Sequence, residues 1–150
     1  MDIVAAEPIY YYISRLLPQN ISILPRTLRF NNIIIESVPK AFKLKAGKIK
    51  FLIEGIYAID LNVGVFAENN VHVVGYLLDG ESGVPIENGE FVCLVRGKSS
   101  LSLCRNILVR VKKNQKLSVK LFRKNGGGAN IVGGVTLRII YVGKLESSSV

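Results

Sequence analysis

Apolar and polar residues alternate with a period of two along most of the chain. In YAIDLNVGVF, Tyr57, Ile59, Leu61, Val63 and Val65 fall on one side, with Ala58, Asp60, Asn62 and Gly64 opposite. ILVRV turns Ile107, Val109 and Val111 inward, and LSVKL does the same with Leu117, Val119 and Leu121. VTLRIIY places Val135, Leu137, Ile139 and Tyr141 together. This period, carried by β-branched residues, predicts half-buried strands. After residue 20 no helical stripe of useful length appears; before it, YYYISRLL fits a short helix or a strand.

The punctuation between these runs is that of an all-β protein. KKNQK is a polar turn, and the stretch DGESGVPIENGE between Leu78 and Phe91 reads as a long turn rich in Gly, Pro and acid. RKNGGGANIVGG resembles a phosphate loop at first sight. However, Gly134 and Val135 stand where a P-loop needs Lys and Ser/Thr, and the following VTLRIIYVG is a strand rather than a helix. It is read as a loop joining two strands. Strands at this spacing predict an antiparallel β-sandwich or jelly roll. Residues 1–40 differ in texture, holding Pro8, Pro18, Pro25 and Pro39, and are read as an N-terminal arm or extra strands. Residues 41–145 are then one sandwich, and 146–150 a flexible tail.

A chain of 150 residues has room for one domain with a core. Hydrophobic residues make up 49%, and mean hydropathy is +0.31. No apolar run reaches the roughly 18–20 residues of a membrane helix, so no membrane span is expected and other subunits would cover the excess apolar surface. The opening residues lack the basic and apolar regions of a secretory signal, so no signal peptide is expected. Net charge is +9, which points to an acidic partner or nucleic acid. Lys43, Lys45, Lys48 and Lys50 alternate with Phe42, Leu44, Ile49 and Phe51, and Lys112, Lys113 and Lys116 form a second basic group. Such lysines are ordinarily a solvated strand face. They are also the candidate basic surface for nucleic acid, although aromatics suited to base stacking are sparse among them.

Material for catalysis is thin. There is one histidine, His72, in a strand-like run, so triads and zinc sites have little to draw on. Cys93 and Cys104 also lie in strand-like runs and have no metal-ligand spacing. They are read as buried free thiols, with a disulfide between neighbouring strands left open. Asp79, Glu81, Glu87 and Glu90 match no calcium-loop pattern and read as a solvated acidic turn. Asn20-Ile21-Ser22 fits a glycosylation acceptor, which matters only in an exported chain. No enzyme activity, metal or cofactor is expected.

From residue 47 to 145 the order of features resembles the C1q/tumour-necrosis-factor type of jelly roll. EGIYAIDLNV supplies the early Gly-x-Tyr-x-aromatic pattern through Gly55 and Tyr57, with Ile59 at the aromatic slot. SSLSLCRNILVRVKKNQKLSVKLFRKNGGGANIVGGVTLRIIYVGKL follows the family's late order of strands and turns. Lys113-Asn114 replaces the usual Gly-Asp, and Tyr141 stands where phenylalanine is usual. The resemblance implies a homotrimer whose strands pack around a threefold axis, with Tyr57, Phe66, Phe122 and Tyr141 as candidate interface residues. Viral spike heads and minor capsid proteins use the same fold without export. The expectation is therefore a non-enzymatic virion protein, a trimeric spike head or capsid-decorating protein assembled in the host cytoplasm. Residues 1–40 would hold other capsid proteins, and a host receptor is a further partner. A basic β-domain binding nucleic acid is the alternative.

Overall fold

The computed structural model describes residues 8–96, 98–125 and 128–144. Met1–Glu7 of the expected arm, Gly126 and Gly127 of the glycine stretch, and the expected tail at 146–150 lie outside the described residues. Among the described residues, twelve strands run in chain order: β1 (Tyr10–Arg15), β2 (Gln19–Ile21), β3 (Arg26–Thr27), β4 (Asn32–Glu36), β5 (Phe42–Lys45), β6 (Lys48–Phe51), β7 (Gly55–Ala67), β8 (Val71–Asp79), β9 (Pro85–Val95), β10 (Ser99–Val111), β11 (Lys116–Asn125) and β12 (Ala129–Gly143). They form two six-stranded antiparallel sheets. The first has the order β10-β7-β12-β1-β4, with β2 also paired to β12; the second has β5-β6-β11-β8-β9, with β3 also paired to β11. The chain passes repeatedly from one sheet to the other, which is the winding of a jelly roll.

The alternation in the sequence becomes the core directly. Tyr57, Ile59, Leu61, Val63 and Val65 of β7 are buried, as are Val109 and Val111 of β10, Leu117, Val119 and Leu121 of β11, and Val135, Leu137 and Ile139 of β12. Each such side chain stabilises the sandwich by about 1.5–3 kcal/mol over exposure. One end of the core is aromatic. Tyr57 meets Phe51 at 4.8 Å, Tyr141 at 5.5 Å and Phe42 at 5.9 Å, all edge to face, and Tyr11 stacks on Phe42 at 4.7 Å. Gly55 explains the glycine two residues before Tyr57: a Cβ there would strike the Tyr141 ring and come within 2.8 Å of the Gly143 carbonyl oxygen.

Of the two readings of YYYISRLL, helix or strand, YYYISR takes the strand, and β1 lies between β12 and β4 with Ile13 opposite Leu137. Of the two readings of residues 1–40, an arm or extra strands, the described part supplies strands: β1, β2 and β4 join the first sheet and β3 the second. Other expectations are corrected. Only residues 80–84 lie between β8 and β9, which begins at Pro85. A proline is tolerated there because β9 is an outermost strand, where its missing N–H breaks no ladder bond. Most of RKNGGGANIVGG is also strand, since Arg123–Asn125 end β11 and Ala129–Gly134 open β12, with a register shift between Ile131 and Val135. Cys93 is half-buried on β9 of the second sheet, and Cys104 is exposed on β10 of the first. The two thiols are free, and Cys104 is not the buried residue expected.

Candidate functional site

The strand parity that fills the core leaves the even-numbered residues of β7, β10 and β12 on the outer face of the first sheet. Their register builds rows across it. Tyr10, Ile140, Ala58 and Leu108 are successive cross-strand neighbours on β1, β12, β7 and β10. Leu108 is 67% exposed and Ile140 51%. The next row, Tyr12, Arg138, Asp60 and Asn106, is polar, and Ile35 of the edge strand β4 pairs with Tyr12. The Arg138 guanidinium lies over the Tyr12 ring, 4.9 Å from its centroid. Beyond it come Ser14, Thr136, Asn62 and Cys104. One face thus carries an apolar row bordered by a polar one, the layout of an interface core and its rim.

Of the four aromatic residues expected at an interface, Phe66 shares this face and Tyr57, Tyr141 and Phe122 do not. Tyr57 is fully buried, and Tyr141 is half-buried against it on the core side. Both have the inward parity of their strands and pack on each other within the sandwich. Phe66 has the outward parity of β7 and is half-buried, opposite Ser100 and Asn130. Phe122 lies on the other sheet, edge to face with Tyr76 at 6.3 Å. It lines a shallow depression of about 290 Å³ with His72, Val74, Glu90, Val92 and Lys124. The residues that do form the apolar row, Tyr10, Leu108 and Ile140, sit in nearly continuous apolar runs. Only the paired strands reveal which member of each run points outward.

The expected basic residues are brought together on the outer face of the second sheet and at its adjoining turn. Lys43 faces Lys50, Lys45 faces Lys48, and Lys50 faces Lys116. Lys112, Lys113 and Lys116 line an open cleft of about 750 Å³ with Arg110, Asn114, Gln115, Asp79 and Glu81. Asp79 is a structural cap. Its Oδ1 accepts the backbone N–H groups of Glu81 and Ser82 at 2.9 and 3.0 Å, and its Oδ2 accepts from Gln115 at 3.2 Å. The backbone donors hold its carboxyl below the ordinary range. Among the described residues no group of three or more His, Cys, Asp or Glu side chains is placed to hold a metal ion.

No protein-family model matches the sequence, and no curated protein matches it. Solved structures do resemble the fold. The globular domain of zebrafish complement 1qA protein aligns with a TM-score of 0.65 at 14% identity, covering 93% of this chain and 100% of that one. Eiger TNF from S. frugiperda aligns with a TM-score of 0.67 at 10% identity, covering 97% and 99%. The chain has a C1q/TNF-like jelly-roll fold. Murine APRIL at pH 5.0 also matches this jelly roll, with a TM-score of 0.60 at 9% identity over 89% of this chain and 99% of that one.

Proposed function

We propose that the protein is a non-enzymatic homotrimeric assembly or attachment module, a spike head or decoration protein of a virus particle. The observation that carries the trimer is the exposed apolar row Tyr10–Ile140–Ala58–Leu108 on the outer face of the first sheet. Packing three copies about an axis beside this face removes that row from water, and the Arg138–Asp60 row would flank it. The jelly-roll likeness to C1q and TNF domains supports the same arrangement, because the resemblance implies threefold packing.

Contact with a shell falls to the N-terminal segment in a different way from the expected arm. Residues 10–36 are built into the sandwich, yet Leu16, Leu17, Ile23 and Leu24 between their strands are exposed, Leu24 by 72%. These four side chains offer an apolar contact for another particle protein.

Light scattering on the full chain tests the trimer. A trimer is expected, falling to monomer in Leu108→Glu/Ile140→Glu with its melting profile retained. A native chain that is monomeric at all accessible concentrations overturns it. Recovery of the chain in purified particles checks the virion use.

A further inference from the structure

The basic surface of the second sheet has a geometry that a merely solvated strand face does not require. Lys43, Lys50 and Lys116 stand directly opposite one another on β5, β6 and β11, and Lys45 stands opposite Lys48. Their strand neighbours Phe42, Ile49, Phe51 and Leu117 are buried, so the lysines share the outward parity. Neighbouring strands lie about 4.8 Å apart, and alternate residues on one strand about 6.7 Å. Like charges at such positions destabilise a sheet. Edge protection accounts for lysines on β5, which is outermost, but not for Lys50 and Lys116 on the interior strands β6 and β11. Among the described residues, one ion pair reaches this row: Lys116 to Glu81 at 3.6 Å. Lys116 also lines the open cleft, where Arg110, Lys112 and Lys113 extend the positive charge.

We propose that this lysine ladder and the adjoining cleft bind a linear sulfated polysaccharide. A chain carrying closely spaced sulfates supplies anions to a lattice of ammonium groups and removes the cost of holding them together. The ladder lacks what a single nucleic acid strand would use. Phe42 and Phe51 point into the core, and the rings on the outer face of this sheet, Tyr76 and Phe122, are half-buried and packed on each other. Charge without a stacking platform suits sulfate on a sugar chain better than phosphate on a chain of bases.

The test is binding of the full chain to size-fractionated heparin, to the same heparin after desulfation, and to oligo-dT, across a salt series. Heparin is expected to bind most tightly, with affinity lost on desulfation. Lys43→Gln/Lys50→Gln/Lys116→Gln should weaken heparin roughly tenfold or more and lower the slope of log affinity against log salt by about three. A matched removal of three charges elsewhere, Arg26→Gln/Arg29→Gln/Lys98→Gln, should weaken it far less. Lys50→Gln alone, in the middle of the row, gives the same readout with the smallest disturbance of the fold. Equal loss in the two triple variants, tighter oligo-dT binding, or no heparin binding at low salt would each overturn the proposal. The light-scattering mass is read separately, so failure here leaves the trimer untouched.

Discussion

Tyr11 of β1 stacks on Phe42 of β5 with ring centroids 4.7 Å apart and planes 15° from parallel, bridging the two sheets. The contact joins the first forty residues to the remainder. A chain beginning at Lys40 lacks β1 to β4 and leaves Phe42 without the Tyr11 ring that stacks on it. That truncated chain is expected not to give the cooperative melting transition of the full protein. Tyr11→Ala in the full chain should cost about 3–5 kcal/mol, as large aromatic-to-alanine changes in cores do. Denaturant titration measures it.

Gly55 admits Tyr141 to the aromatic cluster. In Gly55→Ala the new methyl meets both that ring and the Gly143 carbonyl, and the carbonyl cannot swing aside as a side chain can. A loss of about 1–3 kcal/mol is expected, read as a lowered denaturation midpoint. Near-ultraviolet circular dichroism should change with it, because the Tyr57–Tyr141 contact is disturbed.

Alkaline unfolding follows from two phenols. Burial, with the Glu36 charge adding to it, pushes Tyr11 up to about 12; burial, with Tyr141 adding, does the same for Tyr57. The unfolded chain ionises these groups near 10, so stability is intact below that pH and falls as pH rises from 10 towards 12. Each group accounts for about 2–3 kcal/mol over that window. The Tyr57 hydroxyl also donates to the Ile53 carbonyl at 2.6 Å. Tyr57→Phe should lose about 1 kcal/mol at neutral pH and reduce the alkaline loss. Melting curves from neutral to strongly alkaline pH test both.

The two thiols differ in access. Cys104 lies on the outer face of the first sheet opposite Asn62, while Cys93 is half-buried and burial raises its pKa. A monomer should show one fast and one slow thiol with a disulfide reagent. Trimer formation through that face should slow Cys104, and Leu108→Glu/Ile140→Glu should restore its rate. An unchanged Cys104 rate in the assembled protein would place the subunit contact elsewhere.

Lys50 sits between Lys43 and Lys116. Its replacement by Gln should raise stability by about 0.5 kcal/mol at low ionic strength, a gain that added salt removes. A melting temperature that falls on substitution would mean that the lysine stem packs more than its charge repels.

The fold was legible because inward parity is written into long strands such as β7 and β12, where a misplaced register would expose every core residue. The oblique parts were less so. Pro85 and the acids around it suggested a turn, since an edge strand accepts residues that an inner strand rejects. The inward placement of Tyr57 and Tyr141 could not be read from the sequence, because a large aromatic ring carries no mark of which side of a sheet it occupies. Leu108 and Ile140 passed unnoticed for the complementary reason: in Ile107-Leu108-Val109 and Ile139-Ile140-Tyr141 an apolar run hides its outward member. The lysine row needed the pairing of β5, β6 and β11, because Lys50 and Lys116 are far apart in sequence.

β12 pairs with β1, β2 and β7, so a strand synthesised after the other eleven described here occupies the middle of the first sheet. Until it leaves the ribosome, β1 and β7 have no common neighbour, and both present open backbone edges. Closure is therefore a late, long-range event, slow in the manner of high-contact-order β proteins. A nascent chain arrested before Ala129 should be protease-sensitive throughout, and protection should appear in one step when β12 emerges.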